Sequence, residues 1–94
     1  MELKELYYFI NRLMDIDNLI LERKVLISNT QNHSVDATLQ CKTRVFESIQ
    51  VFQIDCKQDE IISILELSIK KLEEEQSQIL ENLKRHGINI TKED

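Results

Sequence analysis

The stretch Ala37-Thr38-Leu39-Gln40-Cys41-Lys42-Thr43-Arg44-Val45-Phe46-Glu47-Ser48-Ile49-Gln50-Val51-Phe52-Gln53-Ile54 decides the fold class. Residues 37–45 alternate: Ala37, Leu39, Cys41, Thr43 and Val45 fall on one side, and Thr38, Gln40, Lys42 and Arg44 on the other, the period of a half-buried strand. Residues 49–54 are again rich in β-branched and aromatic side chains, so they are expected to form a second strand, although Val51-Phe52 interrupts the alternation. The connection Phe46-Glu47-Ser48 carries neither Gly nor Asn, so a tight primed turn is not written into it. The competing reading makes residues 38–55 one helix with Leu39, Val45, Phe46, Ile49 and Phe52 on a face, which would give an all-α helical bundle. Thr38, Thr43, Val45, Ile49, Val51 and Ile54 are β-branched and poor helix formers, and they favour the strands.

Downstream, the sequence predicts a long helix over residues 56–86. Asp55 can cap it, with Gln58 three positions on and Asp59-Glu60 at the positive end of the helix dipole. Ile62, Leu65, Ile69, Leu72, Gln76, Ile79 and Leu83 then follow an unbroken 3,4 spacing, the seam of a coiled coil. Lys84-Arg85-His86 suits the negative end, and Gly87 followed by Ile88 fits a glycine stop, leaving 87–94 as a tail. Gln76 is the polar member of the seam. It either meets a polar group on the first helix, with Tyr7, Tyr8 and Asn11 as candidates, or turns its amide to solvent, and a leucine there is expected to raise stability at the cost of specificity.

The first half of this helix carries more apolar surface than a seam needs. Ile61, Ile62, Ile64, Leu65, Leu67 and Ile69 together sweep roughly 220° of its circumference, too much for one partner to cover. Ile61, Ile64 and Leu67 are therefore the expected contacts of a homo-oligomer, a dimer or a dimer of dimers. Beyond Lys70-Lys71 and Glu73-Glu74-Glu75 only the seam and Leu80 stay apolar.

Upstream, Leu6, Phe9, Leu13, Ile16 and Ile20 line one face of a helix over about 3–27. Ser28-Asn29-Thr30-Gln31-Asn32-His33-Ser34 supplies the strongest loop signal, placing a loop at 28–36. The expected fold is thus α+β within a single domain, 1–94: long N- and C-terminal helices in an antiparallel, coiled-coil-like hairpin with a small β-hairpin between them. In its order of elements this arrangement resembles the prefoldin subunits, a resemblance that implies a chaperone whose helical arms hold unfolded chains.

The chain has 94 residues, no proline, one glycine and a formal charge of −5, which reads as an ordered, helix-rich and acidic domain. That charge opposes direct binding to nucleic acid, which requires a basic surface. The N-terminus shows no leader pattern and no apolar run reaches the roughly 18 residues that span a bilayer, so a cytoplasmic protein without membrane contact is expected. In that compartment Cys41 and Cys56 are expected as free thiols. Its abundance of Ile, Lys and Asn is that of an AT-rich genome, and with this size and acidity the chain is similar to small accessory proteins of bacteriophages and mobile elements.

Chemistry is sparse. His33-Ser34 is the one histidine beside a hydroxyl, Asp15 and Asp17 point in different directions on a helix, and Glu73-Glu74-Glu75 is a solvated charge run. Cys41, Cys56, His33 and His86 lack metal-ligand spacing, and Gly87 cannot by itself make a phosphate loop. No catalytic residue, metal or cofactor is expected. The leading expectation is a non-enzymatic homo-oligomer that acts as a regulator, inhibitor or assembly factor by binding another protein. The alternative is sequestration of a small anionic nucleotide or metabolite at a subunit interface by Lys42, Arg44, Asn29, Asn32 and His33.

Overall fold

The computed structural model describes residues 1–32 and 37–90. Four elements follow one another: α1 (Leu3–Asn32), β1 (Ala37–Val45), β2 (Ser48–Cys56) and α2 (Gln58–Arg85). The fold is the α+β hairpin, with two long helices and an antiparallel two-stranded sheet between them, and residues 38–55 do not form a helix.

Antiparallel pairing of the helices is recorded by their cross-links. Arg12 meets Glu75, Arg23 meets Ser68 and Thr30 meets Gln58, so each step along α1 runs backwards along α2. Leu13, Ile16, Ile79 and Leu83 form the core, with Leu6, Phe9, Ile20, Leu72, Leu80 and Ile88 packed against it. These are the 3,4-spaced residues of both helices. The core therefore lies in the half of the helix pair remote from the β-hairpin.

The first helix runs to Asn32, through most of what the composition marks as a loop. Its apolar spacing explains the extension: Ile27 continues the face of Ile20 and is half-buried, and Thr30 is buried with its Oγ1 donating to the Leu26 carbonyl at 2.8 Å. Packing against α2 overrides the weak helix propensity of Ser, Asn and Thr. Gln58 donates its Nε2 to the Thr30 carbonyl and ties the end of α1 to the start of α2.

The second helix begins at Gln58, two residues later than expected. Asp55 and Cys56 are drawn into the sheet, paired with Thr38 and Ala37, so Asp55 is not the cap. Lys57 takes that position with an extended backbone, and its N–H donates to Oε1 of Glu60 at 3.2 Å. At the other end Gly87, at φ +77°, closes the helix. Its N–H donates to the Lys84 carbonyl at 3.0 Å and that of Ile88 to Leu83 at 2.9 Å, a Schellman stop that brings Ile88 back onto the core.

The β-hairpin is tighter and longer than the sequence indicates. β1 and β2 pair residue for residue from Ala37↔Cys56 to Val45↔Ser48, so β2 runs as far as its partner, beyond the expected 49–54. Phe46 and Glu47 alone make the turn. Phe46 has φ +57°, and among the described residues it is the sole non-glycine at positive φ, which fits the first position of a type II′ turn. Here the tight turn is made without the glycine that normally permits it.

The molecule is flat and open. Its principal extents are 47 × 41 × 15 Å and its radius of gyration is 17.3 Å, against about 12 Å for a compact chain of this length. The helix pair sets one long dimension, and the β-hairpin, about 30 Å long, extends away from it to set the other. In a body one layer thick, neither described helix is laid across the hairpin.

Candidate functional site

Strand register sorts the β-hairpin into two unlike faces. The pairs Leu39↔Ile54, Cys41↔Phe52, Thr43↔Gln50 and Val45↔Ser48 share one face, and Thr38↔Asp55, Gln40↔Gln53, Lys42↔Val51 and Arg44↔Ile49 share the other. The first is apolar towards the base of the hairpin. Such alternation marks a sheet with one face packed on a core, yet Leu39, Phe52 and Ile54 are 37%, 47% and 46% exposed.

At its base this face meets α2. Leu39 and Cys56 of the hairpin, with Ile61, Ile64 and Leu65 of α2 and Thr38 at the margin, line an almost wholly apolar groove of about 130 Å³. Ile64 and Leu67 both stay exposed, and both line a second depression farther along α2 with Ser68, Lys71, Leu72 and Glu75. The apolar surface thus turns a corner, from the hairpin face through Ile61 and Ile64 to Leu67. One chain covers only part of the wide apolar arc of α2.

The three residues expected at an oligomer contact, Ile61, Ile64 and Leu67, are therefore neighbours on one surface. The hairpin half of that surface, with Phe52 and Ile54, escapes sequence reasoning because Val51-Phe52 blurs the alternation until the register is known. Among the expected ligand-binding residues, Lys42 and Arg44 share the polar face of β1 near its turn, and Asn29 and Asn32 are exposed in the last turn of α1. Lys42 lies five residues up the strand from Ala37, about 16 Å. Within one chain these two pairs do not come together. His33 lies outside the described residues.

Arg23 is committed within the helix pair: its Nε donates to Ser68 Oγ at 2.7 Å and its Nη1 to the Leu19 carbonyl at 3.3 Å. Arg12 donates to both carboxylate oxygens of Glu75, with Nη2 2.9 Å from Oε1. This charge-assisted hydrogen bonding, with the nearby positive charge, holds Glu75 below the ordinary carboxylate range and keeps Arg12 charged. The depression beside it is lined by Tyr8, Phe9, Arg12, Gln78 and Asn82, and its one ion pair is satisfied within the chain. Cys41 and Cys56 are free thiols. Among the described residues no three of His, Cys, Asp and Glu gather as a metal site requires. No helix among them is long and apolar enough to cross a membrane.

No family model, curated protein or solved structure matches this chain.

Proposed function

We propose that the chain is a non-enzymatic, homo-oligomeric interaction protein of the cytoplasm, assembled through its β-hairpin and acting as a regulator, inhibitor or assembly factor on another protein. One observation carries this reading: the hairpin has a specified apolar face, in register and continuous with Ile61, Ile64 and Leu67, and beyond its base, where it meets α2, none of the described residues covers it. A two-stranded hairpin is marginal on its own and needs a packed face to persist. A second copy supplies the same hairpin face and the same α2 surface, as a two-fold contact requires. With the hairpins gathered together, the helix pairs project as arms whose outer surfaces meet the partner.

The arms also support a chaperone reading, in line with the resemblance of element order to prefoldin subunits. The observation favouring it is the apolar surface left open on α1 as far as Leu3 and Tyr7 at the arm end, both more than two-thirds exposed.

Sedimentation velocity at tens of micromolar tests the main reading. The wild type should sediment as an oligomer, and Ile64→Glu or Phe52→Gln should reduce its mass while circular dichroism keeps the helix signal of α1 and α2. A folded wild-type monomer at that concentration removes the proposal.

A further inference from the structure

The outer side of α1 carries a second apolar stripe, distinct from the one that packs on α2. Leu3, Tyr7, Ile10, Met14, Leu21 and Val25 are all exposed, from 38% at Ile10 to 82% at Leu3. On a helical projection they fall within a sector of about 60°, centred roughly 120° around the helix from Leu13, Ile16 and Ile20. The charged residues of α1 that cross-link to α2, Arg12, Asp17 and Arg23, lie outside this sector's apolar positions.

Its spacing is unlike that of the seam between the helices. With Asn18 included, the positions are 3, 7, 10, 14, 18, 21 and 25, so the intervals run 4,3,4 and then 4,3,4. An 11-residue period drifts only about 20° per repeat, so two such helices can lie along each other with a slight right-handed twist. The series is also the same read from either end, with Met14 at its centre. A chain meeting an unrelated helix, or an unfolded segment, has no need of that symmetry. A helix pairing antiparallel with its own copy does: the two-fold axis passes through the central residue, and every position must oppose its reverse.

We infer that α1 forms a second homotypic interface, an antiparallel two-fold contact centred on Met14. Leu3 of one copy faces Val25 of the other, Tyr7 faces Leu21, Ile10 faces Asn18 and Met14 faces its own equivalent. Flanking charge agrees with this direction. Lys4 and Glu22 project from the same flank of the stripe, and the reversal brings Lys4 of one copy alongside Glu22 of the other, twice by symmetry, against one like-charge approach of Asp15 to its own equivalent near the axis. All six apolar side chains of the stripe are exposed in one chain and so available to such a contact. This contact is separate from the hairpin surface. Where both form, dimers join into a dimer of dimers.

Single cysteines placed in a Cys41→Ser, Cys56→Ser background test the contact in the full chain. Met14→Cys should form a disulfide-linked dimer on mild oxidation. Tyr7→Cys alone and Leu21→Cys alone should not, while an equimolar mixture of those two should cross-link. Cross-linking of Tyr7→Cys alone means a parallel pairing, and failure of both Met14→Cys and the mixture means no such contact; either result overturns the inference. Met14→Glu, which sets two carboxylates face to face on the axis, should halve the sedimenting mass with circular dichroism unchanged. An oligomer indifferent to Met14→Glu but dissociated by Ile64→Glu overturns this contact and leaves the hairpin interface standing, whereas the reverse pattern supports this contact and removes the other. If Met14→Glu keeps the mass but abolishes suppression of aggregation of a reduced, unfolded test protein, the stripe serves unfolded chains and the inference is wrong.

Discussion

Gln76 donates its Nε2 to Oδ1 of Asp17 at 2.8 Å, so the one polar residue in the α2 seam meets a carboxylate on the opposite helix. The expected partners, Tyr7, Tyr8 and Asn11, lie one to three turns closer to the N-terminus of α1, and the amide does not turn to solvent. A matched polar pair changes what a leucine at this position does. Removing one member leaves the half-buried Asp17 carboxylate without that donor, whereas removing both replaces a polar layer by an apolar one. Gln76→Leu should therefore cost about 1 kcal/mol, a fall in Tm of roughly 4–8 °C for a domain of this size. The double variant Asp17→Leu, Gln76→Leu should recover part of the loss. Thermal melts of the three proteins decide it: a single variant as stable as the wild type means that the layer has no energetic role.

Arg12 and Glu75 give stability a dependence on acid. Because Arg12 holds the folded-state pKa of Glu75 below its unfolded value, the pair's contribution is fully present above the ordinary glutamate range and disappears as pH falls through the lowered folded value. Tm profiles of the wild type and Arg12→Gln should run apart from neutral pH down to that range and converge below it. Both side chains are about a third exposed, so added salt should narrow the gap at neutral pH. A gap that stays constant into strong acid would assign the effect of Arg12 to its packing instead.

What is legible in the sequence is what local pattern decides, and what is not is decided by packing and strand register. Residues 37–45 alternate strictly, and β1 occupies those residues; Gly87 and Ile88 carry the signature of a Schellman stop, and the backbone closes there as expected. Ser28 to Asn32 reads as a loop because its residues are poor helix formers, but burial of Thr30 and the bond from Gln58 are tertiary terms that composition does not contain. The same holds for Asp55, whose capping role is lost to a strand register fixed by its pairing with Thr38. Of the candidate surface, Ile61, Ile64 and Leu67 were visible as excess apolar arc. Phe52 and Ile54 were not, since which face they share depends on a two-residue turn that no glycine announces. The outer stripe of α1 was present in the spacing, masked by the stronger heptad of Leu6, Leu13 and Ile20 interleaved with it.

The β-hairpin should owe its persistence to assembly. Beyond its base its apolar face stays about half exposed in one chain, and two strands alone are marginal in water. Hydrogen exchange at high and low protein concentration separates the parts: backbone amides of β1 and β2 should lose protection on dilution, while those around Ile16 and Leu83, both fully buried within the chain, should keep it. Hairpin protection independent of concentration would show that the strands stand without a second copy.

Phe46 occupies the left-handed region at φ +57° with 95% of its surface exposed, so the turn holds a bulky aromatic where glycine is normally found. That conformation costs an L-residue on the order of 1–2 kcal/mol, and the side chain recovers nothing by packing within the chain. Phe46→Gly relieves the strain but gives the unfolded chain more freedom, which offsets about 0.4–1 kcal/mol of the gain. Phe46→Asn avoids most of that offset but keeps a Cβ, which the first position of a type II′ turn accepts less readily than glycine. In the assembly proposed above the turn lies beyond the apolar base of the hairpin, so neither variant should change the sedimenting mass. Both should slow exchange of the amides next to the turn, with Gly slowing it more than Asn. If instead the mass falls and exchange quickens in both, Phe46 is itself seated on another copy, and the strained turn is held in place by that contact.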